Sequence, residues 1–174
     1  MSSKKKASGV LGLFAIPKPV KKKRKGWVLV LDSVRDPGNL GTIVRLCDWF
    51  GITQLVCSKD TVDCYNPKVL QATMGSIARV DIVYEDLERF LSHCEPPIMG
   101  TFMGAEPVYG THLPEYGVLV MGNEANGISS KIEAMVTKKI GIPQFGDNLA
   151  ESLNVATATA VLLSEIRRAG FIQK

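Results

Sequence analysis

The sequence lacks the marks of several common protein classes. No apolar run approaches the roughly 18 residues that a membrane-spanning helix requires, so no such helix is expected. The lysine-rich N-terminus has no apolar stretch followed by a small-residue cleavage site, which argues against a secretory signal and predicts a cytoplasmic protein. The two histidines are isolated and the four cysteines show no Cys-x-x-Cys spacing, so we expect reduced, mostly buried thiols and no metal site.

Two phosphate-binding fingerprints are also missing. Neither Gly-x-Gly-x-x-Gly nor Gly-x-x-x-x-Gly-Lys-Ser/Thr occurs anywhere in the chain. Their absence argues against a nucleotide-dependent oxidoreductase, which is the first alternative for a chain with the strand and helix pattern described below.

Acidic residues are absent from the first 26 positions, which carry nine positive charges. Because the whole chain carries a formal charge of +4, the remaining 148 residues carry −5. Clustered cations bind polyanions by releasing counterions, so the run KKKRK at residues 21–25 is typical of a segment that contacts phosphates. A solvated leader is the alternative. The sequence is therefore divided into a basic arm, residues 1–26, and a mildly acidic domain, residues 27–174.

Apolar runs alternate with helical patterns throughout that domain. The strand-like runs cover residues 27–34, 53–58, 81–85, 97–103, 117–122 and 138–143. The helical patterns cover residues 41–51, 66–80, 85–94, 128–136 and 152–168, the last one ended by Gly170. Strands that are continuous apolar runs between helices predict an α/β fold with a parallel sheet covered on both faces.

Ligands of such sheets bind at the carboxyl ends of the strands, which directs attention to four loops. The loops contain DPGN, GTFMGAEP, GNEANG and PQFGDNLAE. Arg45 follows the first of them, and its guanidinium has the planar geometry that holds a phosphate or a developing oxyanion. Spacing alone slightly favours a solvated arginine on a helix face. Glu124, in the third loop, is likewise typical of either a ligand-facing or a solvated acid.

The start of the last helix combines polar groups with small side chains. Ser152 and Asn154 lie where free backbone N–H groups collect, and a run of alanines and threonines follows. Simple capping, with Asn148 and Glu151 forming a capping box, is an alternative that does not exclude ligand binding.

Taken together, three segments resemble the ordered motifs of a known family. NLGTIVRLCDWFG, LVMGNEANGIS and IPQFGDNLAESLNVATATAVLLSE are similar, in order and spacing, to the motifs of the SpoU (TrmH) RNA ribose 2′-O-methyltransferases of the SPOUT superfamily. The resemblance covers about residues 27–170. It implies a parallel-sheet SPOUT fold with a deep C-terminal trefoil knot, a homodimer, and S-adenosylmethionine as the cofactor.

The resemblance also implies roles for particular residues. The residues that match the family's polar reaction centre are Asn39, Arg45, Glu124, Ser152 and Asn154. The residues that match its cofactor contacts are Gly122, Ile142 and Leu153, with Thr101 as a further contact. The implied reaction is methylation of a ribose 2′-hydroxyl in tRNA or rRNA, with no DNA and no membrane as a partner. A homologue that binds RNA or cofactor without turnover is the alternative.

Two departures from the family pattern are visible. The segment between Pro143 and Ser152 is about two residues longer than usual, which predicts a different cover over the cofactor. Many members also carry an N-terminal RNA-binding domain, whereas ASGVLGLFAIPKP resembles only the tail end of one.

Overall fold

Six strands and five helices alternate along the described chain. The structure is a computed structural model that describes residues 26–95, 97–146 and 152–172, together with residues 12, 15 and 16. The strands are β1 Trp27–Leu31, β2 Gln54–Cys57, β3 Asp81–Tyr84, β4 Ile98–Pro107, β5 Gly117–Met121 and β6 Lys138–Gly141. The helices are α1 Pro37–Trp49, α2 Pro67–Thr73, α3 Leu87–Ser92, α4 Ser130–Glu133 and α5 Val155–Ile172.

All six strands form one sheet in the order β3-β2-β1-β5-β4-β6, and every pairing is parallel. The predicted parallel sheet is thus confirmed. The chain first moves outward from β1 through β2 to β3 and then continues on the other side of β1. The carboxyl ends of β1 and β5 therefore lie side by side at the point where the strand order reverses, which is where open α/β sheets bind ligands.

Helices cover both faces of the sheet because alternate residues of each strand point to opposite sides. Leu29 and Leu31 of β1 contribute to a core that includes residues of α1, α2 and α5. Val28 and Val30 contribute to the opposite core, formed with α3 and α4. The continuous apolar runs seen in the sequence reflect this double burial.

The predicted helix boundaries differ from the observed ones most at three helix ends. Helix α1 begins at Pro37, not residue 41, because the Asp36 side chain caps it and Pro37 suits its first position. Helix α2 ends at Thr73 because Met74 and Gly75 adopt positive φ. Helix α5 continues through Gly170 to Ile172, since one glycine costs a packed helix only about 1 kcal/mol.

Other expectations concern capping and the thiols. Asn66 caps α2 as predicted, with its Oδ1 accepting from the Lys68 backbone N–H at 2.9 Å. All four cysteines are free thiols, three of them buried, as the spacing predicted. The expected capping pair of Asn148 and Glu151 lies outside the described residues. Across the ranges that are described, no helix combines the length and apolarity needed to cross a membrane.

Candidate active site

The first turn of α1 presents Asn39 at the carboxyl edge of the sheet. The Asp36 carboxylate accepts a hydrogen bond from the Asn39 backbone N–H at 2.7 Å, which closes the N-terminus of the helix. DPGN is therefore the cap and first turn of a helix, and not a free loop. This leaves the Asn39 side chain half-buried and available to groups on the adjoining strands.

The segment after β5 forms a tight loop that carries Glu124. The backbone groups of Asn123 and Gly127 exchange two hydrogen bonds of 2.9 Å, so the loop closes on itself. Gly122 lies directly against this closure, and a Cβ at Gly122 would come within 2.2 Å of the Gly127 carbonyl carbon. No side chain fits there, so glycine at residue 122 is required for this loop to close beneath Glu124.

Three polar side chains from distant parts of the chain meet at this edge. The Asn39 Nδ2 donates to the Glu124 Oε1 at 2.8 Å, and the Asn154 Nδ2 donates to the Asn39 Oδ1 at 2.9 Å. Asn154 also caps α5, since its Oδ1 accepts from the backbone N–H groups of Ala156 and Thr157 at 2.9 and 3.2 Å. One continuous chain of hydrogen bonds thus joins the start of α5 to Glu124.

The direction of this chain follows from the helix. Backbone N–H groups only donate, so Asn154 must turn its oxygen toward α5 and its amide nitrogen toward Asn39. Asn39 then accepts with its oxygen and offers its own N–H to Glu124. Glu124 is held as an acceptor at the end of a chain that begins at the positive end of the α5 dipole.

Arg45 lies apart from this chain, exposed on α1. Among residues 26–95, 97–146 and 152–172, its guanidinium has no hydrogen-bond or ion-pair partner. An exposed guanidinium has the planar geometry that can bind an anionic ligand. The exposed position alone equally matches the solvated helix face that its sequence spacing favoured.

A cavity of about 930 Å³ opens beside Glu124. Its walls include the four residues expected to contact the cofactor, which are Thr101, Gly122, Ile142 and Leu153. They come from β4, the end of β5, the residue after β6 and the approach to α5. The parallel sheet therefore brings four separate segments around one opening, and Ser152 also lies at its wall.

The match to known proteins identifies the family. A sequence model of the SpoU rRNA Methylase family matches residues 26–164. The chain belongs to this family.

Relatives and solved structures of the SpoU family agree with that assignment. The chain is 32% identical over 144 residues to the 23S rRNA (guanosine(2553)-2′-O)-methyltransferase RlmP of Bacillus subtilis, covering 80% of this chain and 57% of that protein. A TrmH-family protein from Porphyromonas gingivalis is 41% identical, with a TM-score of 0.78 over 88% of this chain and 62% of that one. An AdoMet-bound rRNA methyltransferase from Sinorhizobium meliloti is 32% identical, with a TM-score of 0.76 over 84% of this chain and 57% of that one. The SpoU chain thus spans between 57% and 62% of these three proteins.

Within this SpoU-family site, the structure brings together some of the predicted residues and separates others. Asn39, Glu124 and Asn154 form one hydrogen-bonded group. Arg45 and Ser152 are exposed and make no described side-chain hydrogen bond to that group. No cluster of three or more His, Cys, Asp or Glu side chains that could hold a metal ion occurs in the part of the chain that the structure describes.

Sequence reasoning missed the residues that hold the Glu124 loop. The Asn123 Nδ2 donates to the Ser33 carbonyl at 2.6 Å, and the Ser129 backbone N–H donates to the Asp32 Oδ2 at 2.7 Å. Asp60 supports Ser33 from the next loop, and hydrogen bonds from Ser33 and then from Ser58 lower the pKa of its carboxyl. The only available signal was the position of Asp32 and Ser33 directly after a continuous apolar run.

Proposed function

We propose that this SpoU-family chain transfers a methyl group from S-adenosylmethionine to a ribose 2′-hydroxyl of RNA. The observation that carries the proposal is the position of Glu124, which lines the cavity and also accepts the hydrogen bond from Asn39. Glu124 therefore belongs both to the wall of the cavity and to the hydrogen-bonded chain of Asn39 and Asn154. The named activities of the Bacillus and Sinorhizobium relatives support the same reaction class.

The cavity fits the expected cofactor. A volume of about 930 Å³ lies within the range of roughly 300–1,000 Å³ that holds nucleoside-sized ligands. Its walls combine apolar side chains, among them Met121, Ile142 and Leu153, with the backbone of the loop that begins at Gly122. These residues would hold S-adenosylmethionine, together with Thr101, which also lines the cavity. When bound, the cofactor supplies an activated methyl group attached to a positively charged sulfur.

The reaction then needs an oriented, deprotonated ribose oxygen, and the chain's own residues supply the means. Arg45 would bind the RNA phosphate next to the target ribose, and its positive charge would favour loss of the 2′-hydroxyl proton. A guanidinium is a poor base, so the phosphate and the surrounding field share that task. Asn39, Ser152 and Asn154 would orient the ribose, while Glu124 fixes Asn39. Positioning supplies much of the rate enhancement in such two-substrate transfers.

The experiment that tests this function measures transfer of labelled methyl from S-adenosylmethionine to total RNA from cells that lack the gene. The parent chain should yield a labelled 2′-O-methylnucleoside, and Arg45→Ala should lose it. Arg89→Ala is the matched control, because Arg89 is an exposed arginine on α3, on the other face of the sheet. Fragment mapping of the label identifies the tRNA or rRNA target.

Other outcomes of this experiment refute particular parts of the proposal. Equal turnover in Arg45→Ala and the parent would remove Arg45 from the mechanism. Transfer to a 2′-deoxy substrate would contradict the assigned oxygen. Tight binding of S-adenosylmethionine without any transfer would favour a homologue that binds without turnover.

The assembly and setting of the enzyme are part of the same proposal. We infer a cytoplasmic homodimer that binds tRNA or rRNA and not DNA, with a trefoil knot formed by the segments around β6 and α5. Exposed apolar side chains at the cavity, with Phe145 88% and Leu153 53% exposed, support a second subunit that covers this region. Sedimentation at micromolar concentration should give twice the chain mass, and a monomer would contradict the dimer.

The basic arm, residues 1–26, lies almost entirely outside the described residues, and its role is a separate proposal. Its nine positive charges support binding to RNA phosphates. Replacing Lys21, Lys22 and Lys23 by glutamine should weaken RNA binding and reduce its dependence on salt concentration, by about one released counterion for each lysine that pairs with a phosphate. An unchanged salt dependence would indicate a solvated leader.

A further inference from the structure

We propose that Asn123 is a positioning residue that fixes Glu124 by anchoring its loop to the carboxyl end of β1. This inference rests on the proposed function, since Glu124 belongs to the site described above. Asn123 was not among the residues expected to act, and its described side-chain hydrogen bonds go to Ser33, Ala125 and Asn126, not to Asn39 or Asn154.

The hydrogen bonds of Asn123 organise the whole loop. Its Oδ1 accepts from the backbone N–H groups of Ala125 and Asn126 at 2.8 and 3.2 Å, which turns the chain around Glu124. Its backbone N–H and carbonyl pair with Gly127. Its Nδ2 donates outward, to the Ser33 carbonyl at 2.6 Å. One residue thus shapes the loop with its oxygen and attaches the loop to the sheet with its amide nitrogen.

A second anchor holds the far end of the same loop. The Ser129 backbone N–H donates to the Asp32 Oδ2 at 2.7 Å, and Asp32 is only 5% exposed. The two ends of the loop are therefore attached to consecutive residues, Asp32 and Ser33, at the end of β1. The same strand leads directly into α1, which carries Asn39.

The backbone conformation of Ser33 directs its carbonyl toward the Asn123 side chain. Its φ of 61° lies in the left-handed region that L residues other than asparagine and aspartate rarely adopt. Two bonds hold it there: its N–H donates to the Ser58 Oγ at 2.9 Å, and its Oγ donates to the Asp60 Oδ2 at 2.6 Å. A strained residue that its neighbours hold in place is a pre-organised acceptor.

The consequence is a fixed distance between Glu124 and Asn39. Glu124 follows Asn123 directly, and its carboxylate reaches Asn39 only while the loop stays docked on β1. The Asn123 anchor and the start of α1 are both attached to the end of β1. The positions of Glu124 and Asn39, which form the 2.8 Å hydrogen bond, are therefore both fixed relative to one strand.

The test uses Asn123→Asp, which retains the acceptor for Ala125 and Asn126 but sets a second oxygen against the Ser33 carbonyl. We expect kcat to fall about tenfold, with the KM for RNA changed by less than about twofold, because the carboxylate repels the Ser33 carbonyl and misplaces Glu124. Asn66→Asp is the matched control: Asn66 uses its Oδ1 to cap α2, and its Nδ2 makes no hydrogen bond to any described residue. That control should retain the parent's kcat.

A double-variant cycle separates positioning from general structural damage. In a Glu124→Ala background, which lacks the group being positioned, Asn123→Asp should change kcat by less than about twofold. A tenfold loss in both backgrounds would show that Asn123 acts independently of Glu124 and would overturn the inference. If Asn123→Asp does not fold, Asn123→Ser, which keeps an acceptor but does not reach Ser33, replaces it in the same cycle.

Amide hydrogen exchange tests the anchor even if the chain methylates no RNA. The backbone N–H group of Ser129, which donates to Asp32, should exchange about tenfold faster in Asn123→Asp than in Asn66→Asp, because the loop leaves β1. Unchanged exchange would overturn the anchoring role. Faster exchange in a protein without methyl transfer would support the anchor while rejecting the proposed function.

Discussion

Replacing Asn154 by aspartate should separate the stability of the chain from its activity. Asn154 has two tasks, since its Oδ1 caps α5 and its Nδ2 donates to Asn39. Aspartate caps a helix as well as asparagine does, and its charge suits the positive end of the helix dipole. We therefore expect the free energy of unfolding to remain within about 1 kcal/mol of the parent value.

The activity of Asn154→Asp should fall, because the donor to Asn39 is replaced by an acceptor. Asn39 can bond to the new carboxylate at residue 154 only by rotating its amide so that Nδ2 faces residue 154. This rotation brings the Asn39 Oδ1 toward the Glu124 carboxylate, which repels it. The loss of one exposed hydrogen bond of about 0.5–1.5 kcal/mol corresponds to a rate decrease of roughly 2- to 13-fold.

The assay combines urea unfolding, followed by circular dichroism, with single-turnover methyl transfer to RNA. Asn66→Asp serves as the control, because it makes the same chemical change at a cap whose amide nitrogen has no described partner. Full activity in Asn154→Asp would refute the directed chain of hydrogen bonds. A parallel loss of stability and activity would show that aspartate does not preserve the cap, and the lost activity would then be attributed to the fold and not to the lost donor.

Three further predictions concern the helices around the site. Gly41→Ala should lower the free energy of unfolding by about 1–3 kcal/mol, because the new Cβ at residue 41 would come within 2.4 Å of the Ala72 Cβ where α1 packs on α2. Urea unfolding measures this change, and an unchanged midpoint of the urea transition would show that the two helices separate freely. Arg79 lowers the pKa of the Asp48 carboxyl by donating to it at 2.7–3.0 Å, so the contribution of this ion pair to stability is fully present above the ordinary aspartate pKa of about 4 and is lost as the pH falls through the lowered pKa. Arg79→Met should therefore lower the melting temperature at pH 7, by an amount that shrinks progressively as the pH is lowered below about 4, and a loss that does not change with pH would exclude the ion pair as the cause. Burial raises the pKa of the Cys47 thiol to about 12, so N-ethylmaleimide should label it at pH 7.5 only after unfolding, and rapid labelling of the native protein would contradict its burial.

Much of the fold was predictable from the sequence because its signals are local. Continuous apolar runs separated by helical patterns require a parallel sheet covered on both faces, and the six strands appear where those runs are. The boundaries were less predictable, since they depend on specific contacts. The carboxylate of Asp36 starts α1 four residues early, and packing of α5 on the core carries that helix past Gly170.

The candidate site was predictable as a set of residues but not as an arrangement. The loops and the start of the last helix drew attention to Arg45, Glu124, Ser152 and Asn154, and the family resemblance added Asn39 and grouped them. Their pairing depends on the strand order, which places β5 next to β1 although 85 residues separate the hydrogen-bonded Asn39 and Glu124. Nothing local in the sequence distinguishes Asn123 from an ordinary turn asparagine, so its bond to Ser33 needed the structure.

The register between α1 and α5 explains why such a long-range arrangement is stable. At one end Asn154 reaches Asn39 in the first turn of α1, and at the other the Arg167 guanidinium donates to the carbonyls of Phe50 and Gly51 at 2.6 and 2.9 Å. The two contacts are about 20 Å apart along α5 and about 17 Å apart along α1, so the helices lie side by side in the same direction. A shift of one helix along the other breaks the hydrogen bonds at both ends. The position of Asn154 relative to Asn39 is therefore determined by the whole length of the α1–α5 packing, and not by the exposed side chains at the site alone.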